Sequence, residues 1–219
     1  SRGRALKARV KIQERLEARR IKAPFVDIKQ PYINLSTDNE IEETTALKVE
    51  NLAIAFDETL LENVNFEIKS TDKVAIIGTN GVGKTTLLKE IFKNNNNAIK
   101  VDENIEMSYL SQMQGDVINE SNTILQEFYD VGFETYGEIR RYLGKYGFDA
   151  DILTQKIDSL SGGEKNILQL AKVSASRANL LLMDEPTSHL DIYSQMALEK
   201  AIADYKGAIL MISHDYHFI

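Results

Sequence analysis

The sequence predicts an α/β fold, and two patterns support this prediction. Short apolar runs such as Val74–Ile77 and Leu180–Met183 are typical of buried parallel strands. A glycine-rich loop, "GTNGVGKT" at 78–85, lies between the first of these runs and a helical pattern, "GKTTLLKEIF". With 219 residues, of which 43% are hydrophobic and 27% charged, the chain is long enough to bury a sizeable core.

Other strands and helices follow from hydrophobic periodicity. The segments "LKVENLAIAF" and "ENVNFEI" alternate as strands do, and "NIEMSYL" predicts another strand. Residues 117–156 have the apolar spacing of helices and predict a helical insert at about 115–160. Farther along, we expect a helix, the strand "ANLLLMDE", a helix at about 192–204 and the strand "GAILMISH". The "NNNN" run at 94–97 predicts a loop tip.

Composition argues against several classes of protein. No apolar run approaches the roughly 20 residues that cross a bilayer, so we expect no membrane insertion. The basic N-terminal segment lacks the apolar region of a signal peptide. The absence of cysteine excludes disulfides and thiolate metal sites. These features together favour a cytoplasmic protein.

The net charge of −7 is unevenly distributed. Residues 1–22 contain nine Lys and Arg residues but only two Glu, so the remainder of the chain is strongly acidic. A basic arm on an acidic globule favours contact with nucleic acid or another anionic surface, although a solvated helix face would look the same. We predict a helix at 4–20 and a domain division into a basic helix with a polar connector at 1–45 and a globular domain at 46–219.

The loop at 78–85 matches the pattern of a phosphate-binding loop, or Walker A motif. Its glycines allow backbone N–H groups to face phosphate oxygens, Lys84 reaches the β- and γ-phosphates, and the Thr85 hydroxyl ligates Mg²⁺. The following helix presents its positive dipole end to the same anion. The predicted ATP-binding residues of this segment are Gly78, Thr79, Asn80, Gly81, Val82, Gly83, Lys84, Thr85 and Thr86.

Two acidic residues follow the apolar run "LLLM" and predict the second half of the site. Asp184 is placed to hold Mg²⁺, and Glu185 is placed to act as general base on the attacking water. A pair of capping carboxylates at a strand end is the structural alternative.

The complete series of motifs resembles the ATP-binding cassette (ABC) ATPases over residues 46–219. It comprises the Walker A loop, "YLSQ" ending at Gln112, "LSGGE" at 160–164, the Walker B segment with Glu185, "SHLD" and "ISHD". The resemblance implies a P-loop NTPase fold with a mixed β core, an antiparallel β-subdomain, and a helical subdomain inserted between the Gln loop and the "LSGGE" signature.

The resemblance also implies roles for individual residues. Phe56 stands where the family stacks an aromatic ring on adenine, Gln112 where it contacts Mg²⁺ and the water, and His214 where it contacts the γ-phosphate. Asp191 closes "SHLD" at 188–191, the segment called the D-loop. Taken singly, Phe56 would more often be a core residue and His214 a satisfied buried histidine.

The same resemblance implies a function for the "LSGGE" signature at 160–164. In these ATPases two cassettes pack head to tail, and each ATP lies between the Walker A loop of one and the signature of the other. The signature residues Ser161, Gly162, Gly163 and Glu164 are therefore expected to serve ATP held by a second cassette. Alone, the chain should bind ATP and hydrolyse it poorly.

Three features resemble the ABC-F group: Glu164 where transporter subunits commonly have Gln, "SHLD" in place of "SALD", and the basic helix upstream of the cassette. ABC-F proteins carry two cassettes in one chain and act on the ribosome, either in translation regulation or in protection against antibiotics. The resemblance implies rRNA and tRNA as partners of the basic linker, and a first cassette and a C-terminal tail beyond this sequence. An ATPase subunit of a membrane transporter and a non-catalytic ATP-sensing module remain alternatives.

Overall fold

Two β-sheets form the framework of the computed structural model, which describes residues 32–37, 43–55, 59–111 and 117–214. In chain order the strands are β1 (Thr45–Ala55), β2 (Thr59–Lys69), β3 (Lys73–Ile76), β4 (Ile99–Val101), β5 (Met107–Leu110), β6 (Leu180–Asp184) and β7 (Ala208–Ile212). The α-helices are α1 (Lys84–Lys93), α2 (Ile124–Asp130), α3 (Tyr136–Lys145), α4 (Gly162–Ser176) and α5 (Ile192–Asp204).

One sheet is antiparallel, in the order β2-β1-β4, and the other is parallel, in the order β3-β7-β6-β5. This mixed architecture confirms the predicted α/β class. The prediction missed β4, because three residues are too few to show an alternating pattern. In the parallel sheet, β3 and β6 both pair with β7, which brings the ends of these three strands to one edge.

The parallel sheet is buried on both faces. Every residue of β6 and β7 is buried, and alternate residues point to opposite sides. Leu181, Met183 and Met211 pack with α4 and α5, whereas Leu182 and Leu210 pack with α1 and the antiparallel sheet. The continuous apolar runs of the sequence therefore reflect a layer with helices on one side and a second sheet on the other.

Residues 117–156 contain less helix than their apolar spacing predicts. Between 117 and 160, where every residue is described, the helical elements are α2, α3 and a 3₁₀ turn at Ile157–Ser159, and the segment between Tyr146 and Lys156 is mostly turns. Gly132 (φ 110°) and Gly147 (φ 89°) take left-handed conformations just after the two helices, which explains where they end. The insert has its own apolar cluster, which Leu168 and Ala171 of α4 join.

Several predictions lie outside the described residues. The basic helix at 4–20, Phe56 and Gln112 are among them. In the segment assigned to the connector, Ile33 and Leu35 are buried against the cluster formed by α4, α5 and the parallel sheet. The division of the chain at residue 45 stays a prediction.

Candidate active site

The Walker A loop joins β3 to α1 and leaves the N-terminus of that helix without a side-chain cap. Gly81 and Gly83 adopt φ values of 82° and 96°, in the left-handed region that favours glycine. A Cβ atom added at Gly83 would also lie 3.4 Å from Cγ of Leu61. The first-turn N–H groups of α1 are thus positioned to bind an anion.

The side chain of Lys84 folds over this loop. Its ammonium group donates hydrogen bonds to the carbonyl oxygens of Gly78, at 2.8 Å, and Thr79, at 2.9 Å. The residue is only 9% exposed. The cation is therefore held next to the N–H groups that the loop presents, and a phosphate would add a strong acceptor to its existing partners.

Asp184 ends β6 in a buried position. It is 1% exposed, and within the described parts of the chain neither carboxylate oxygen meets a hydrogen-bond donor in good geometry. Burial raises the pKa of the Asp184 carboxyl, and the neighbouring Thr85 hydroxyl opposes this shift. A buried carboxylate in this condition is costly, and a cation would relieve the cost.

The Asp184 carboxylate and the Thr85 hydroxyl supply oxygen ligands that fit Mg²⁺. This ion binds few protein groups and completes its octahedron with water and phosphate. Among the residues that the structure describes, no group of three or more His, Cys, Asp or Glu could hold a metal by itself. Asp184 and Thr85 therefore fit a magnesium ion that arrives with a nucleotide better than a resident metal centre.

Glu185 follows Asp184 in a strained backbone conformation. Its φ is 48°, which is uncommon for a residue other than glycine and typical of functional sites. Its N–H donates to the carbonyl of Ile212 at the end of β7, over 2.9 Å. Oε1 of Glu185 lies 3.3 Å from Nε2 of His214. The ends of β6 and β7 thus bring together two residues that are distant in sequence.

One cleft of about 290 Å³ collects most of these groups, but Asp184 does not line it. Its wall combines the helix end of the Walker A loop with Glu185 and His214, and it also includes two residues that sequence reasoning missed, Leu60 and Ile212. The remaining predicted residues of the loop do not line it, but Gly78 and Thr79 hold Lys84 through their carbonyls. The predicted residues on the cleft wall are Asn80, Gly81, Gly83, Lys84, Thr85, Thr86, Glu185 and His214.

The signature does not contribute to this cleft. Ser161 is the N-cap of α4 and forms a capping box with Glu164. The Ser161 hydroxyl and N–H donate to Oε2 of Glu164 over 2.6 and 2.8 Å, and these bonds lower the pKa of the Glu164 carboxyl. Gly163 and Glu164 instead line a second cavity, of about 470 Å³.

The D-loop residue Asp191 lies on the signature side of the molecule. Asp191 caps α5 by accepting hydrogen bonds from the N–H groups of Tyr193, at 2.9 Å, and Ser194, at 3.0 Å. These contacts, with that of Ser194 first, lower the pKa of the Asp191 carboxyl. Asp191 also lines the cavity next to the signature rather than the cleft.

Comparison with known proteins identifies the family of the chain. The sequence profile described as "ABC transporter" matches residues 61–188. The chain belongs to the ABC transporter family, and its fold is that of an ATPase cassette. It is 36% identical to "ABC transporter F family member 2" of Arabidopsis thaliana over 99% of its own length, and 35% identical to member 5 over the same share.

A further relative is the "Putative ATP-binding protein YdiF" of Bacillus subtilis, which is 39% identical over 79% of this chain. The predicted resemblance to ABC-F cassettes is thereby confirmed. The chain spans about a third of the length of these relatives: 33% of member 2, 32% of member 5 and 28% of YdiF.

Solved structures show the same fold. An "ATP binding subunit of ABC transporter" superposes with a TM-score of 0.64 at 22% identity, covering 78% of this chain and 80% of that one. A dimeric ATP-binding cassette in a post-hydrolysis state with ADP and Pi superposes with a TM-score of 0.62 at 22% identity, covering 78% of this chain and 89% of its own. Each helix among the described residues is too short or too polar to span a bilayer.

Proposed function

We propose that the cleft beside α1 binds ATP with Mg²⁺ and that Glu185 is the general base of its hydrolysis. The observation that carries this proposal is the composition of the cleft wall, where the helix end of the Walker A loop, Glu185 and His214 line one space of about 290 Å³. An anion-binding helix end and a carboxylate at one cleft are the groups that phosphoryl transfer to water requires.

The residues at the cleft have separate roles in ATP binding and hydrolysis. The N–H groups of the loop and the ammonium of Lys84 bind the β- and γ-phosphates, with Thr85 and Asp184 as protein ligands of Mg²⁺. When bound, the ion would neutralise charge that develops on the phosphate oxygens. Glu185 accepts a proton from the attacking water, and His214 contacts the γ-phosphate. Phe56 and Gln112 are proposed to complete the site at the adenine and at the water.

The same proposal assigns the signature to the ATP of a second cassette. Ser161 to Glu164 lie outside the wall of the cleft, so a phosphate at the N-terminus of α4 would come from another nucleotide. The dimeric state of one structural neighbour, which holds ADP and Pi, is consistent with such pairing. ATP would draw the two cassettes together, and hydrolysis would let them separate.

For the whole protein, we assign a role on the ribosome, in translation regulation or in protection against antibiotics. The support is the resemblance to ABC-F cassettes and the charge of residues 1–22, which suits the phosphates of rRNA and tRNA. Residues 1–45 would act as linker and connector, and 46–219 as the nucleotide-binding domain.

Ribosome co-sedimentation of the full-length protein tests this role. Its catalytic glutamates, including Glu185, are changed to Gln so that ATP persists, and ADP serves as the matched control. A salt series separates the two contributions, because a basic arm alone gives binding that falls steeply with salt. ATP-dependent, salt-tolerant co-sedimentation is expected. Equal binding with ATP and ADP would contradict the ribosomal role, and co-purification with a membrane protein would then favour the transporter subunit.

A further inference from the structure

Ser188 lies between Glu185 and the signature helix. Its hydroxyl donates to Oε2 of Glu185 over 3.2 Å, and its N–H donates to the Glu185 carbonyl over 3.0 Å. On its other side, the side-chain amide of Asn166, on α4, donates to the carbonyl oxygen of Ser188. One D-loop residue therefore contacts both the carboxylate of the proposed base and the helix that carries the signature.

The carboxylate of Glu185 is held from two directions. Oε2 accepts from Ser188, while Oε1 faces Nε2 of His214 at 3.3 Å. The backbone is fixed as well, through the N–H bond to Ile212 and the left-handed φ of 48°. With the backbone fixed, these side-chain partners help to set the direction of the carboxylate. A general base must point at its water within a fraction of an ångström, so a lost partner reduces the rate.

The helix that carries Asn166 is a rigid element. Its residues Leu170 and Val173 pack in the cluster with the parallel sheet, and Leu168 and Ala171 pack in that of the helical insert. Its first turn also approaches the D-loop closely, because a Cβ at Gly163 would lie 3.5 Å from the carbonyl oxygen of His189. A shift of α4 thus acts on the D-loop through packing and through the Asn166 hydrogen bond.

We infer that Ser188 is a positioning residue that orients the Glu185 carboxylate, and that Asn166 makes this orientation depend on the position of the signature helix. The inference rests on the proposed function, in which Glu185 is the general base and Ser161 binds ATP of a second cassette. When that ATP contacts the N-terminus of α4, a shift of this helix would change the orientation of Glu185 in the chain's own site. Ser188 acts through Glu185, because the contact described for its hydroxyl is with that carboxylate.

Steady-state ATPase kinetics of the full-length protein test the inference. Ser188→Ala is expected to lower kcat by about 10- to 100-fold with KM little changed, since the base is misplaced while the phosphate-binding groups are intact. Ser188→Thr retains a hydroxyl and should recover most of the rate. Ser176→Ala is the matched control, because this exposed serine of α4 bonds only the carbonyl of Val173 among the contacts described for its hydroxyl, and it should turn over as wild type.

A second variant tests the link to α4. Asn166→Ala should also lower kcat, and in the Ser188→Ala background it should cost little more, because both changes act on one path. Wild-type kcat in both single variants would overturn the inference. So would a loss that Thr does not recover and that follows a fall in melting temperature or in ATP affinity, because that pattern indicates a structural role.

Glu185→Gln, measured in the same assay, distinguishes the role of Glu185 as general base from the role of Ser188 as positioning residue. If this variant retains turnover, the proposed base is wrong regardless of Ser188. If it loses turnover while Ser188→Ala keeps the wild-type kcat, only the positioning role is wrong.

Discussion

The N-termini of α1 and α4 both follow glycine-containing motifs, yet they differ in what occupies them. At α1 the N-cap is Gly83, with no side-chain cap and no acidic residue in the first turn. At α4 the N-cap is Ser161, and Glu164 completes a capping box. The N-terminus of α1 leaves its N–H groups free of side-chain caps, so they can bind a ligand. At the N-terminus of α4 the Ser161 and Glu164 side chains satisfy part of the N–H groups.

The difference teaches how one chain can hold two phosphate-binding motifs without competition between them. The α1 end shares a cleft with Glu185 and His214, so a phosphate bound there lies beside the hydrolytic groups. The α4 end has its serine hydroxyl engaged by Glu164, and it lies outside that cleft. We therefore regard α1 as the end for the chain's own ATP and α4 as the end that a second cassette must engage.

The largest effect is expected at the α1 cleft, from Glu185→Gln. Loss of the general base should lower the hydrolysis rate by about 10²- to 10⁴-fold, while ATP affinity stays close to wild type. Single-turnover hydrolysis and equilibrium binding of a fluorescent ATP analogue measure the two quantities. Near-normal turnover would show that another group activates the water.

A methyl group at the α1 end should make this N-terminus less able to bind phosphate. Gly83→Ala places a Cβ at φ 96° and 3.4 Å from Leu61, so we expect weaker ATP binding and a loss of stability of about 1–2 kcal/mol. Gly137→Ala in α3 is the control: it meets no atom within 4 Å and should stabilise the helix slightly. Thermal unfolding and ATP titration measure the stability and the ATP affinity of both variants. Equal stability and equal affinity in the two variants would contradict the prediction.

Removal of the α4 cap gives a smaller change in stability. Ser161→Ala should cost about 1 kcal/mol, the usual value of an N-cap, and should leave ATP binding in the α1 cleft unaffected. Denaturant unfolding and ATP titration of the same variant measure both effects. A large loss of the chain's own ATP affinity would mean that the two helix ends serve one site.

The smallest effect concerns pH. The Ser161 hydroxyl, followed by its N–H, lowers the pKa of Glu164 in the folded state, so this contribution to stability is present above the unfolded pKa of about 4.3 and is lost as pH falls through the folded value. The stability difference between wild type and Glu164→Gln should therefore shrink below about pH 4. In a Ser161→Ala background this pH dependence should be weaker, and its persistence there would assign it to another group.

The sequence predicted those parts of the molecule that depend on local patterns. The helix at 192–204, the buried strands and the "GTNGVGKT" loop were evident, because periodicity and glycine spacing are readable along the chain. The helix content of residues 117–156 is lower than predicted, because their apolar spacing continues through the turns after Gly147. The Ser161–Glu164 cap is foreseeable from the S-x-x-E pattern, although the resemblance of the motif predicts only a phosphate site there.

The contacts of Ser188 could not be predicted from the sequence. They depend on the left-handed turn at Glu185 and on the approach of α4 to the D-loop, which join residues 22 positions apart. Leu60 and Ile212 were missed for a similar reason, since the cleft wall is assembled from the ends of separate strands. Only the position of serine three residues after the glutamate could have suggested a hydrogen bond.

The central claim, that the signature serves the ATP of a second cassette, is tested most directly by the specific ATPase activity of this 219-residue chain over a wide range of protein concentrations. Bound ATP is measured in the same samples. The account predicts that ATP binds throughout, and that turnover is slow and increases per molecule as the concentration rises. Rapid turnover that does not depend on protein concentration would contradict it, because a single chain would then complete its own site.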